Sequence, residues 1–320
     1  MLLIKLSTGS ASVLGLNKIK MKHPPETAYL MLGEKCIKNC DFCAQAKEST
    51  SSSNKLSRIT WNPYDLEQII DGLNAAYSAG NICRACFQTV HEDKIFKNIL
   101  SVVSKIKERS KIPICVALDT NNFNNVLKLI NEGVDRICIP IDAATSWLFY
   151  NIKNSDFYKR LDILEQSADF YPGKISTHLI AGLGENEEDF AKILGWLFEK
   201  NIIPAIFAFT PVPGTKMEAF NQPDISSYRR IQIMRFFMHK SNVLLSDMEF
   251  LNGRLIRLFV PGQNWKDLIW ESKGSAFRTS GCPGCNRPYY NEKPNGIMYN
   301  YPGPLSDDEI ETAICESRLK

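Results

Sequence analysis

Histidine is scarce in this chain, and so are long apolar runs and blocks of one charge. There are four histidines in 320 residues; His91 and His178, each beside or within a strand-like run, read as structural side chains with satisfied nitrogens. No segment reaches the eighteen or so consecutive apolar residues of a transmembrane helix. The N-terminus starts apolar but breaks at Lys5, without the uninterrupted run and small-residue cleavage site of a secretory leader. These absences give the expectation of a cytoplasmic protein with no membrane partner. The formal charge is +3 and no Lys/Arg block exceeds two residues, so nothing calls for nucleic acid. No repeat and no low-complexity tract occurs beyond a short serine cluster at 51–53. What the chain does have is cysteine, ten in all. In a reducing compartment ten cysteines argue for metal binding over a disulfide framework. With 44% apolar and 23% charged residues the composition is that of an ordered chain, long enough for one large α/β domain.

Short β-rich runs alternate with helix-periodic segments between about residues 27 and 240. The strands are expected at 27–32, 82–90, 112–118, 136–141, 175–181 and 203–209. The helices are expected at 64–75, 94–108, 124–131, 155–166, 187–199 and 226–240. Strand-then-helix units in series predict an α/β fold whose parallel sheet is covered by helices, as a complete or partial TIM-type (β/α) barrel. Three segments follow: an N-terminal extension over 1–24, the barrel over 25–260 and a C-terminal segment over 261–320. The last contains an irregular stretch dense in Gly, Pro, Asn and Tyr at 280–304, then a helix that Ser306 would cap.

The stretch GEKCIKNCDFCAQ (33–45) places Cys36, Cys40 and Cys43 on the loop after the first expected strand, the face where barrel active sites are built. Thiolates select soft metals and iron–sulfur clusters, and three close ligands leave one cluster position open. This C-x3-C-x2-C loop, with Phe42 directly before Cys43, resembles the signature of radical S-adenosylmethionine (radical SAM) enzymes. The resemblance implies that the three thiolates hold a [4Fe-4S] cluster whose fourth iron chelates SAM, and that reductive cleavage of SAM then yields a hydrogen-abstracting radical. HLIAGLGENEED is similar to the family's fifth-strand segment, which places Ile180 and Gly182 against the adenine. CIPIDAAT carries Asp142 where the biotin synthase-like group has an acidic residue near the ribose; a helix cap is its other reading. FTPVPGT (209–215) is similar to the sixth-strand segment of that group, with Pro211, Pro213 and Gly214 forming a rigid turn. MLGE before Cys36 fits the same group.

Two further pairs, Cys83-x2-Cys86 and Cys282-x2-Cys285, each have the spacing that lets two thiolates reach one metal centre. Together they supply four ligands for a second, auxiliary [4Fe-4S] cluster, a four-thiolate zinc site being the alternative. Residues i and i+3 of a strand do not share a face, so this set calls for a bulge or a strand end near Ala85. Cys115 occupies a position resembling a cluster ligand of biotin synthase, whereas Ser176 stands where biotin synthase has another. Cys138 and Cys315 read as buried small hydrophobes. Arg254 is a candidate for a barrel-lining arginine near the second cluster. Arg287, Tyr289 and Tyr290 are candidates to cover it or to dock a partner, plain aromatic packing being the alternative.

The tail GCPGCNRPYYNEKPNGIMYNYPGPL resembles that of the two-component lipoyl synthases. That resemblance implies sulfur insertion into an octanoyl-lysine chain on a lipoyl carrier domain or H protein. It also implies a related second radical SAM protein as partner and an electron donor such as ferredoxin. Two alternatives stay open: another biotin synthase-like radical reaction on a small molecule, and a non-catalytic iron–sulfur or zinc scaffold.

Overall fold

Alternation of apolar strands with amphipathic helices governs the architecture. The computed structural model describes residues 3–293 and 296–320. In chain order the elements are β1 (Leu3–Ser7), α1 (Thr8–Val13), β2 (Thr27–Leu32), β3 (Lys55–Leu56), β4 (Ile59–Asp65), α2 (Leu66–Ser78), β5 (Arg84–Thr89), α3 (Ile95–Arg109), β6 (Ile114–Ala117), α4 (Phe123–Asn131) and β7 (Arg136–Cys138). Then come α5 (Ser146–Lys153), α6 (Phe157–Phe170), β8 (Ile175–Ala181), α7 (Glu187–Glu199), β9 (Ile203–Ala208), α8 (Ile225–Lys240), β10 (Met248–Leu251), β11 (Arg254–Leu258), α9 (Trp265–Glu271) and α10 (Asp307–Ser317).

Strands β2, β5, β6, β7, β8 and β9 pair in that order, all in parallel. This is the run expected from the sequence, and it curls into a partial TIM-like barrel. All six residues of β2 are buried, as befits a strand covered on both faces. Helix α3 turns Ile99, Val102, Val103 and Ile106 inward, and α7 adds Phe190, Leu194 and Leu197. Each such side chain contributes roughly 1.5–3 kcal/mol by leaving water. Helix ends carry their own signals. Asn186 and Asp189 form a capping box at α7, and Ser306 and Glu309 form another at α10, each satisfying two N-terminal donors.

Two features were not expected. The stretch before residue 25 supplies β1, which pairs antiparallel with both β2 and β4, so the sheet gains an antiparallel edge and reaches nine strands. The C-terminal segment then closes the other side. Among the described residues strand β9 has no strand neighbour beyond it, and side chains satisfy its edge: Ile206 N donates to Ser280 Oγ at 2.8 Å and Ala208 O accepts from Asn291 Nδ2 at 2.7 Å. The same segment reaches β2, where Thr27 Oγ1 donates to Gly284 O at 2.8 Å. It is fixed from behind by α8, whose buried Arg229 donates to the carbonyls of Met298 and Tyr299 and pairs with Glu316 of α10. Among the described residues no helix is long and apolar enough to cross a membrane.

Candidate active site

The loop from β2 to β3 carries the three cysteines, and backbone bonds hold it in a compact coil. Cys36 N donates to Gln45 O at 3.1 Å, Cys43 N to Cys40 O at 3.0 Å and Ala46 N to Cys43 O at 3.0 Å. The FTPVPGT turn braces it from outside. Gly214 has φ +85°, and a Cβ there would lie 2.5 Å from Ser51 N, so only glycine permits this approach. Gly214 O in turn accepts from Thr50 N and Ser49 Oγ. Burial pushes the Cys40 thiol up to about 12 and the Cys43 thiol up to about 11. Both are therefore held as thiols by the fold itself.

Cys43 and Phe42 line one wall of a cavity of ≈ 220 Å³ inside the curled sheet. Ile180 lines it too, as do Leu56, Phe207 and Phe209, so the wall is largely apolar. Asp142 enters from the end of β7 with φ +65°, 9% exposed. Its Oδ2 accepts from Lys153 Nζ at 2.6 Å. Lys153 is 3% exposed on α5 and also reaches Pro140 O at 3.1 Å. Asp119 lies beside it, paired with Arg160 Nη2 at 2.5 Å and Lys38 Nζ at 2.7 Å. Burial alone would raise the Asp119 carboxyl, but Lys153, Arg160 and Lys38 hold it well below the usual range. Gly182 does not line the cavity. Its φ of +99° and the Pro223 ring, 2.9 Å from where a Cβ would stand, account for the glycine.

Beneath this cavity is a second, smaller chamber of ≈ 30 Å³, and Tyr29, Gln88, Ala117, His178 and Arg287 face both. The two are thus parts of one lumen. The lower chamber is walled by five thiols: Cys86, Cys115, Cys138, Cys282 and Cys285. Strand parity explains three of them. Cys86 and Cys115 are register partners on β5 and β6, and Cys138 follows on β7. Cys282 and Cys285 arrive on the tail, where Cys115 Sγ donates to Cys282 Sγ at 3.4 Å. That bond first, and then Arg136, Arg84 and Arg287 against the effect of burial, pull Cys282 down to about 6. Burial raises Cys86, Cys138 and Cys285, and Cys115, the donor, is raised as well. Burial first, then Arg287 and Lys153, push His178 down to about 3, so its imidazole is neutral.

Several expected placements change. Cys83 is exposed and does not enter the chamber; it precedes β5 and sits behind the tail, its Sγ 3.9 Å from Pro283 O. Strand β5 begins at Arg84, so the strand end expected near Ala85 is present, and there is no bulge, since the register with β2 runs unbroken from Thr27↔Arg84 to Leu32↔Thr89. The i, i+3 spacing therefore puts Cys83 and Cys86 on opposite sides, and Cys115 stands in the chamber where Cys83 was expected. Cys138 is buried as expected and also lines the chamber, whereas Cys315 is exposed. Arg254 lies exposed on the β10–β11 hairpin. His91 has its expected structural partner, with Nδ1 3.1 Å from Asp119 O.

Both thiol sets have the donor chemistry of iron–sulfur ligands. Among the described residues no three Cys, His, Asp or Glu side chains converge tightly enough to hold one metal ion. A four-iron cluster spreads its thiolates over the corners of a cube and does not need that convergence. The all-sulfur donor sets are those that iron–sulfur clusters take; among the described residues, Nε of Arg84, which lines the lower chamber, and Nη1 of Arg136, the register partner of Cys115, are buried without a hydrogen-bond partner.

Comparison with known proteins gives consistent findings. The family model described as the Radical SAM superfamily matches residues 30–197. Biotin synthase of Methanococcus vannielii is 27% identical over 208 residues, covering 62% of this chain and 60% of that protein. Biotin synthase of Carboxydothermus hydrogenoformans is 25% identical over 233 residues, covering 70% and 67%. The match to the first thus spans about three fifths of the relative's length. Among solved structures, methylornithine synthase (PylB) superposes with TM-score 0.52 at 14% identity, over 72% of this chain and 76% of that one. The hydrogenase maturase HydG gives 0.53 at 13%, over 67% and 49%. These two likenesses concern the fold.

Proposed function

The chain belongs to the radical SAM superfamily, and from that premise we propose that it abstracts hydrogen from an aliphatic carbon held in the lumen and delivers sulfur to that carbon from the chamber below. In this reading Cys36, Cys40 and Cys43 hold a [4Fe-4S] cluster that carries SAM, and Cys86, Cys115, Cys282 and Cys285 hold a second. When bound, the first supplies the electron that cleaves SAM to a hydrogen-abstracting radical, and the second supplies the sulfur. One observation carries the proposal: Cys43 of the first set opens onto the upper cavity, five thiols open onto the lower one, and the two cavities share Tyr29, Gln88, Ala117, His178 and Arg287 as the layer between them. A carbon held there lies within reach of both ends, which is the proximity that radical chemistry needs.

The chain's own groups do the positioning. Phe42 and Ile180 offer flat apolar contact for the adenine. Asp142, paired with Lys153 Nζ at 2.6 Å, accepts hydrogen bonds from the ribose hydroxyls. Leu56, Phe207 and Phe209 exclude water from the reacting carbon. Neutral His178 has no charge to offer and hydrogen-bonds an uncharged group.

The substrate we assign is an octanoyl chain on a lysine of a lipoyl carrier domain or H protein. Support comes from the apolar wall and the tail's similarity to two-component lipoyl synthases. A related second radical SAM protein would complete the other thiolation, and a ferredoxin-like donor would supply electrons. A second reading, a biotin synthase-like reaction on an unattached small molecule, is favoured by the curated relatives. Incubation with SAM, a strong reductant and an octanoyl-lysyl peptide separates the two. 5'-Deoxyadenosine together with a peptide one sulfur heavier supports the first; 5'-deoxyadenosine with an unchanged peptide supports the second.

A further inference from the structure

The lower chamber contains more positive charge than the fold itself uses. Arg84 opens β5 and Arg136 opens β7, in register with Cys115; Arg287 comes from the tail. None of the three forms an ion pair with a carboxylate among the described residues. Asp135, whose charge reaches Arg84, is taken by Lys107 Nζ at 3.2 Å. Arg84 Nη1 donates to Cys115 Sγ at 3.5 Å while its Nε is buried without a partner, and so is Arg136 Nη1. Arg287 is 8% exposed, faces both cavities, stacks 3.8 Å over the Phe207 ring and spends Nη2 on Ser280 O at 2.5 Å. Buried guanidiniums are costly unless an anion accompanies them. Here four of the neighbours, Cys86, Cys115, Cys138 and Cys285, are held as thiols, and Cys282 alone is drawn toward its anion, which leaves three guanidiniums against one thiolate.

We propose that Arg84, Arg136 and Arg287 are positioning residues that cage the lower site, neutralising a four-thiolate iron–sulfur cluster and setting its reduction potential. The proposal rests on the reading of the lower chamber as a cluster site. Net charge and hydrogen bonds to sulfur are the main protein levers on such potentials. Reduction adds negative charge, so each nearby cation favours the reduced state and raises the potential. Arg287, the only one of the three facing both cavities, exerts this effect at the side where the cluster meets the substrate.

The test uses the full chain with Cys36, Cys40 and Cys43 changed to Ala, so that only the lower site can bind iron. Iron and sulfide are quantified after anaerobic reconstitution, and the midpoint potential is read by redox titration followed by electron paramagnetic resonance. About four irons per chain are expected; their absence removes the cluster reading and this proposal with it. With iron present, Arg84→Met and Arg287→Met should each lower the midpoint, the double variant further, while Arg84→Lys and Arg287→Lys stay near the parent value. If a Met variant loses iron, recovery in the Lys variant supports the cage, and loss in both overturns it. An unchanged midpoint at full iron content overturns it as well.

Discussion

Lys153 is the side chain on which the upper cavity depends most. Its Nζ lies 2.6 Å from Asp142 Oδ2 and 3.8 Å from Asp119 Oδ2, out of solvent. Replacing it with Met leaves two buried carboxylates short of a partner, so Lys153→Met should cost about 3–5 kcal/mol in chemical denaturation. It should also slow 5'-deoxyadenosine formation, because Asp142 is no longer held; full activity at reduced stability would detach Lys153 from the site. Acid acts on two other residues. His178 is neutral in the fold down to about pH 3 but binds a proton near its ordinary 6.5 when unfolded. Its contribution is therefore complete above 6.5 and declines as pH falls toward 3. Asp119, depressed below its ordinary 3.8, contributes fully above that value and loses its contribution below it. Stability should thus begin to fall below about pH 6.5, and His178→Phe should flatten that first decline in pH-dependent denaturation curves; an unaltered curve would contradict the assignment. None of this was legible in the sequence beyond Asp142. Residues 38, 119, 142, 153 and 160 share no local motif and meet only through the fold.

Among the elements, the tail plays the part of the strands that a full barrel would have added. Tyr29 of β2 is its anchor: the phenol oxygen accepts from Asn286 N at 3.1 Å and Arg287 N at 2.9 Å and donates to Cys285 Sγ at 3.5 Å. Tyr29→Phe leaves two buried N–H groups unpaired, each a loss of roughly 1–3 kcal/mol. Denaturant titration should show that loss, together with a lower iron content at the inner site; a neutral effect would mean the tail is held elsewhere. Strand β5 makes a sharper prediction. Cys83→Ser should leave inner-site iron intact, whereas Cys115→Ser should remove it, as measured by iron quantitation in chains lacking the upper three cysteines. The reverse result would restore the pairing suggested by spacing. Parity along β5 already separated Cys83 from Cys86 in the sequence. What the sequence lacked was the cross-strand register that brings Cys115 beside Cys86.

At the scale of the molecule, the parallel run β2 to β9 was legible because apolar strands and amphipathic helices alternate at different periods. Strands 27–32 and 175–181 and helix 187–199 fall where expected. The N-terminal edge was not, since Leu3–Ser7 is a short strand interrupted by Lys5, and pairing with β4 stabilises it where propensity does not. The lumen arises only at this scale: the loop after β2 brings Cys43 to the upper cavity, and β5 to β7 with the tail bring five thiols to the lower one. The most direct measurement is mass spectrometry of an octanoyl-lysyl carrier peptide after anaerobic reaction with reconstituted protein, SAM and a strong reductant, the inner sulfide being isotopically labelled. The expected result is 5'-deoxyadenosine and a peptide carrying one labelled sulfur. SAM cleavage with an unchanged peptide, both alone and with a second radical SAM protein supplied, would contradict it.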